Sequence, residues 1–297
     1  MKRKIVQHGS SSLTLTLPVK WTEKFHLKKG QELDVEENGP TLIVTTKAES
    51  SETKKVIKAD EIFTKNDLSH LYQLGYDELE IELGKGTLEE IKERLPNCMG
   101  FEIVDQKNNK IYIKSIASTL ESEFDNLLRK AFLITDEMGQ EILQAMESGK
   151  YDKLKETKNL ETLNNKYTDI CTRILNKRGY SNQNRTMQMY EIIKNIERIA
   201  DELRDLCDIL IKDKKADKEL KLDIKEAISY YELFYTMFYK YSQESKEKIY
   251  NERKVLITRF KKSLEKSKGS NSLILHHLIN IVQKTFEGSA GYFVLIL

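Results

Sequence analysis

The sequence predicts a multidomain α+β chain in three parts. These are a small N-terminal β domain at 1–47, a small α+β domain at 55–117, and an all-α region at 118–297 made of two three-helix repeats. Three observations predict this. A strict period of two, Leu13-Thr14-Leu15-Thr16-Leu17, stands near the start. Short apolar runs separated by glycine, asparagine and proline follow as far as residue 116. Beyond Pro96 there is no proline, and long amphipathic periods take over.

The chain opens on Lys2-Arg3-Lys4, and a polar turn, Gly9-Ser10-Ser11-Ser12, leads into the alternating run. Period two over five residues reads as a strand with one apolar face, stopped by Pro18. Val19 to His26 reads as a short helix with Trp21 and Phe25 one turn apart. Lys28-Lys29-Gly30 turns the chain, and Glu32–Glu36 with Thr41–Thr45 form a hairpin around Asn38-Gly39-Pro40.

A unit below about 50 residues buries too little surface to stand without a staple or a partner. No cysteine lies in it. The economical solution is a second copy, and a two-fold homodimer is the commonest kind. From Met1 to Gly30, Lys2, Arg3, Lys4, Lys20, Lys24, Lys28 and Lys29 are opposed only by Glu23. Pairing two copies makes a broad positive surface suited to DNA, with Lys2, Arg3, Lys4, Lys20 and Lys24 as phosphate contacts. The bland alternative is a solvated basic face.

The order of these elements resembles the AbrB/SpoVT/MazE swapped-hairpin DNA-binding domain. The residues that carry the resemblance are Arg3-Lys4, Gly9, Leu15-Thr16-Leu17-Pro18, Leu27, Gly30 and Leu33-Asp34-Val35. It implies a dimeric DNA-binding head with Arg3 and Lys4 against the nucleic acid. Where that family often has a further basic residue after the glycine, this chain has Ser10.

Over all 297 residues, charged side chains make up 32% and nearly cancel at +2, so the basic start is local. No stretch of about 18 apolar residues predicts a membrane span, and no apolar run after Met1-Lys2-Arg3 predicts a signal peptide. Cys98, Cys171 and Cys207 are odd in number and far apart, which predicts reduced thiols and a cytoplasmic protein. The apolar closing run Tyr292–Leu297 is expected in a helical core or an oligomer contact.

A polar break at Lys47–Lys55 precedes the middle domain. There, Lys65–Leu74 reads as a helix ended by Gly75, and Glu78–Leu83 as a strand. Thr87 is expected to cap a helix running to Leu95 and stopped by Pro96. Phe101–Asp105 and Lys110–Ile116 read as paired strands around Asn108-Asn109. Gly84 and Gly86 make no phosphate loop, and the expected role is a spacer or dimerisation unit.

From Ser118 the expected helices are Thr119–Ser148, Leu154–Asn176, Gln183–Lys212, Asp217–Gln243, Glu244–Lys266 and Asn271 to about Val294. Short connections predict antiparallel packing, with repeats at about 118–212 and 217–297. In the third helix, Met189, Ile192, Ile193, Ile196, Ile199, Ala200, Leu203, Leu206, Cys207 and Leu210 form the buried stripe. Glu197 and Asp201 stand one turn apart on its flank, with Arg204 and Asp208 on the same edge. Such a pair holds a hard cation through oxygen, or is a solvated flank with Arg198 and Arg204 as counter-charges.

The run "NIERIADELRDLCD" resembles the helix of the PhoU phosphate-uptake regulators that carries an E/D-x-x-x-D pair. That family is built of two three-helix repeats and often binds iron, zinc or magnesium on its carboxylate faces. The resemblance implies a divalent or iron-type metal near Glu197 and Asp201, with Glu287 at the matching place in the last helix. Gln283 stands where the last helix would carry a second carboxylate. Asn164 and Thr168 replace two more, with Glu161 and Asp169 nearby.

An AbrB-type head before a PhoU-type body resembles the archaeal form of phosphate-uptake regulator. It implies a cytoplasmic DNA-binding regulator whose helical part meets a phosphate transporter or a signalling protein. The alternatives are a metal-binding bundle or an antitoxin-like DNA-binding module. A di-metal oxidase wants Glu-x-x-His on two bundle helices. The only near match is Glu23 with His26, outside the bundle, and His276 and His277 are adjacent, one expected to pack and one to be solvated. No nucleophile set or nucleotide loop is present, so the chain is expected not to be an enzyme.

Overall fold

Alternation near the start and helical periodicity later do produce a mixed α+β chain, with a small N-terminal β region and a helical C-terminal part. The computed structural model describes residues 2–46, 54–58, 63–116, 120–214 and 217–297. They fall into two compact units, Met1–Glu52 and Thr53–Leu297.

In the first unit, β1 (Val6–His8) pairs antiparallel with β2 (Ser12–Thr14), Val6 opposite Thr14. Gly9 reverses the chain at φ 70°, a conformation that costs glycine nothing. Pairing stops at Thr14, so the expected strand is shorter, and Leu15–Leu17 run on without a strand partner among the described residues. The first helix, α1 (Val19–Lys24), follows Pro18 and ends before His26, which turns left-handed at φ 50°. The Trp21 and Phe25 rings lie 5.6 Å apart on it. The second hairpin, β3 (Leu33–Asn38) and β4 (Thr41–Thr46), pairs Leu33 with Thr46 and Asn38 with Thr41. No described residue of this unit is buried.

The second unit opens with β5 (Lys54–Ile57), α2 (Lys65–Gln73), β6 (Glu78–Glu82), α3 (Thr87–Arg94), β7 (Phe101–Lys107) and β8 (Lys110–Ser115). The sheet order is β5-β6-β8-β7, with β5 parallel to β6 and the other pairs antiparallel. Strand β5 begins inside the expected polar break, whose residues 47–53 lie outside the described ones. Its two lysines hid it: Lys54 pairs with Glu80 of β6 at 2.7 Å on the solvent face. Thr87 is not a cap. Gly86 holds the N-cap at φ 80°, and the Thr87 hydroxyl accepts from the Gly84 amide at 3.2 Å. Leu79, Ile81, Ile111 and Ile113 bury the inner face of the sheet against Leu68, Tyr72 and Ile91.

Six long helices follow: α4 (Phe124–Ser148), α5 (Leu154–Arg178), α6 (Thr186–Asp213), α7 (Lys218–Tyr239), α8 (Gln243–Lys266) and α9 (Ser270–Ile296). The expected start of the first at Thr119 lies outside the described residues, and Leu120–Glu123 form a 3-10 turn before Phe124. Gly149 ends α4 at φ 70°, the Asp217 carboxylate caps α7, and Ser242 caps α8. The whole expected stripe of α6 is buried, joined by Asn195. Its largest helix contact is with α9. Phe132, Phe234 and Phe238 link α4 to α7, with Phe132 4.9 Å from Phe238. Gly139 lets α4 approach α7: a Cβ there would stand 2.8 Å from Ile228 Cγ2. In the closing run, Tyr292 and Phe293 are buried while Val294, Ile296 and Leu297 are exposed. No helix among the described residues is long and apolar enough to cross a membrane.

The α+β part and the helices share this unit through α5. Buried Arg173 donates to the Tyr72 carbonyl at 2.9 Å, the Tyr76 carbonyl at 2.7 Å and the Asp77 carboxylate at 2.6 Å. One turn earlier, Asp169 accepts from Arg94 at 2.9 Å and Gln73 at 2.7 Å.

Candidate nucleic-acid interface and acidic helix flank

All five basic residues expected at DNA are exposed: Lys2, Arg3 and Lys4 before β1, and Lys20 and Lys24 on α1. Lys20 and Lys24 are one helical turn apart and project from the same side of α1. Lys24 Nζ lies 5.4 Å from the centre of the Phe25 ring. The apolar side chains around them are exposed as well, Leu13 at 70% and Ile5 at 65%, with Val6, Leu15, Val19, Val35 and Leu42. Two separate two-stranded hairpins and one short helix therefore leave their apolar faces in water. Isolated hairpins are marginally stable at best, and contiguous exposed apolar surface marks an interaction face.

On α6, Glu197 and Asp201 stand on the flank of the buried stripe, half-buried, and each already has a cation. Lys194 donates to Glu197 at 2.6 Å. Arg204 donates to Asp201 at 2.7 Å and to Glu161 of α5 at 3.0 Å, while its other edge reaches Asp205 at 2.9 Å. Asp208 pairs with Lys158 of α5. Burial pushes the Asp201 carboxyl up to about 6; Arg204 pulls it down and Glu161 and Glu197 push it up again. Exposure judged from the sequence pattern alone concealed that shift. Burial likewise lifts Asp169 to about 6, with Glu197 adding to it and Arg94 opposing.

Glu287, on α9, is exposed. Among the described residues no three of His, Cys, Asp and Glu converge. Lys194 and Arg204 each take one oxygen of Glu197 and Asp201, so a hard cation there would have to share these carboxylates with them. Asn164 is turned away to α4, donating to the Ala131 carbonyl at 2.9 Å and the Thr135 hydroxyl at 2.8 Å. The other flank of α6 carries Glu202, which meets His277 Nδ1 and Lys284 Nζ of α9, both at 2.7 Å. Burial pushes Glu202 up, but His277 and Lys284 outweigh it and hold the carboxyl at about 2. His277 is thus the packed histidine and His276 the exposed one. All three cysteines are buried and free.

No family model, curated protein or solved structure matches this chain.

Proposed function

We propose that the chain is a DNA-binding regulator of phosphate uptake or phosphate homeostasis. Two copies join through the N-terminal unit, and the pair holds DNA phosphates with Lys2, Arg3, Lys4, Lys20 and Lys24. The helical part receives the signal, a small molecule or a partner such as a transporter or a signalling protein.

One observation carries the DNA half of this reading. The first unit has basic side chains and apolar side chains in water together and no buried residue among those described. A second copy covers the apolar faces and doubles the positive surface. The phosphate half is supported by the resemblance of α6 to the PhoU helix and by a run of six long helices, α4 to α9, the number that two three-helix repeats would need.

The test is a gel-shift series on phosphate-gene promoters across salt concentrations, with Arg3→Ala/Lys4→Ala beside the parent. In the pair, loss of two phosphate contacts per copy, four in all, is expected to weaken binding at every sequence and flatten the log–log salt slope by about 3.6, roughly 0.9 per contact. Equal affinity and equal slope would remove Arg3 and Lys4 from the contact face. Light scattering of the full chain tests the pairing, and a monomer at micromolar concentration would end that part of the reading.

A further inference from the structure

A cavity of about 430 Å³ opens where the first turn of α7, the last two turns of α8 and the first turn of α9 meet. That volume suits a small molecule. Its lining includes Lys262, Ser263, Lys266 and Asn271, and none of these side chains' donors is engaged among the described residues. Lys262 and Lys266 are exposed, lie one turn apart on α8 and have no carboxylate partner among the described residues.

The carboxylates of the lining are differently placed. Asp217 is engaged as the cap of α7, accepting from the Leu220 amide at 2.8 Å. Asp223, almost wholly buried, lies 3.0 Å from Arg259 Nε, and Arg259 also reaches Glu226. Glu219 has no ion pair among the described residues and shares the lining with the two lysines. Unlike α7, α9 has no side-chain cap and no acidic residue in its first turn. Its Ser272 and Leu273 amides reach the Gly269 carbonyl, while those of Ser270 and Asn271 have no partner among the described residues.

We propose that this cavity binds a small oligophosphate anion of pyrophosphate size. Two ammonium groups and a hydroxyl from α8, with an amide and the first backbone donors of α9, supply hydrogen-bond donors from two sides. Lys262 and Lys266 stand one turn apart, roughly 5–6 Å between Cβ atoms, so two linked phosphoryl groups give each ammonium its own anionic group. No aromatic ring lines the cavity, so nothing offers a nucleobase a stacking face. The inference gives the sensing half of the regulator a ligand, and its meaning for regulation rests on that reading; the binding itself rests on the cavity.

Titration calorimetry of the full chain with sodium pyrophosphate, without DNA, tests it. One site per chain is expected, with citrate and sulfate binding at least about tenfold more weakly. Lys262→Ala/Lys266→Ala is expected to weaken pyrophosphate binding by about ten- to a hundredfold, as loss of charge-assisted bonds does. Both lysines are exposed, and an unchanged thermal midpoint verifies that the variant is folded. Glu219→Gln is expected to tighten binding severalfold, an effect that general damage does not produce. No heat at millimolar pyrophosphate, equal binding of citrate, or unchanged affinity in either variant overturns the proposal. Because DNA is absent, failure here leaves the gel-shift result standing, and failure of the gel shift leaves this site standing.

Discussion

Helices α5 and α6 lie side by side, yet they are buried by opposite means. The buried face of α6 is isoleucine, leucine, alanine, methionine and Cys207, with Asn195 its one polar amide. The buried face of α5 carries Thr157, Glu161, Asn164, Thr168, Asp169, Thr172 and Arg173 beside its few aliphatics. The difference follows from what each helix touches. Helix α6 fills the middle of the bundle, where any apolar neighbour of the right size packs. Helix α5 faces α4, α6 and the α+β part at once, and toward the last it presents polar groups. A polar contact favours one arrangement because its donors and acceptors must meet at set distances and angles, whereas an apolar one tolerates sliding. Helix α6 thus supplies cohesion, and α5 sets how the sheet layer docks.

The comparison breaks most sharply at Arg173. Its guanidinium is 5% exposed and satisfies two carbonyls and Asp77. Removing it leaves two carbonyls without this donor and Asp77 held by Lys177 at 2.8 Å, at a cost of about 3–5 kcal/mol. Arg173→Ala is expected to lose about that much in urea denaturation, and hydrogen exchange should rise first in α2 and the sheet. A loss below about 1 kcal/mol would make the joint apolar in effect. On α6, Ile196→Ala removes a fully buried side chain and is expected to cost about 3 kcal/mol. Its exchange pattern should differ, with protection falling throughout the bundle rather than at the sheet.

Helix α6 was legible because its apolar residues repeat at threes and fours, which depends on local sequence alone. Helix α5 showed its length but not its role. Thr157, Asn164 and Thr168 look like solvent-facing residues until their partners are known, and the partners of Arg173 and Asp169 lie some 75 to 101 positions earlier. Strand β5 was hidden for a similar reason, since Lys54 carries no apolar alternation and meets its acidic partner only across the sheet. In the first unit the basic residues could be read directly, because exposure needs no partner. The cavity could not be read. Lys262 and Lys266 look like an ordinary solvated helix end, and only the meeting of three helix termini makes a hollow beside them.

The smallest effect that still separates the two helices is the pH dependence carried by Asp169 of α5. Its folded carboxyl titrates at about 6, above the roughly 3.9 of an unfolded aspartate. Below about pH 4 both states hold the proton, and the preference of the folded state for it is fully present. As pH rises from about 4 to 6 the unfolded chain gives up that proton first, so stability falls, by about 2 kcal/mol for a group this deeply buried. Asp201 of α6, also lifted to about 6, adds to the same window. Glu202 works in the opposite sense and lower: held at about 2, it stabilises the fold above about 4.5 and loses that contribution as pH falls toward 2. Asp169→Asn is therefore expected to flatten the decline between pH 4 and 6, and Asp169→Asn/Asp201→Asn to remove most of it, while the acid limb near pH 2–4 stays in place. Urea midpoints at half-unit steps from pH 3 to 7 measure both limbs. A single variant that keeps the parent's slope between 4 and 6 would mean that Arg94 and Gln73 hold Asp169 ionised throughout, making the α5 joint a fixed ion pair instead of a titrating one.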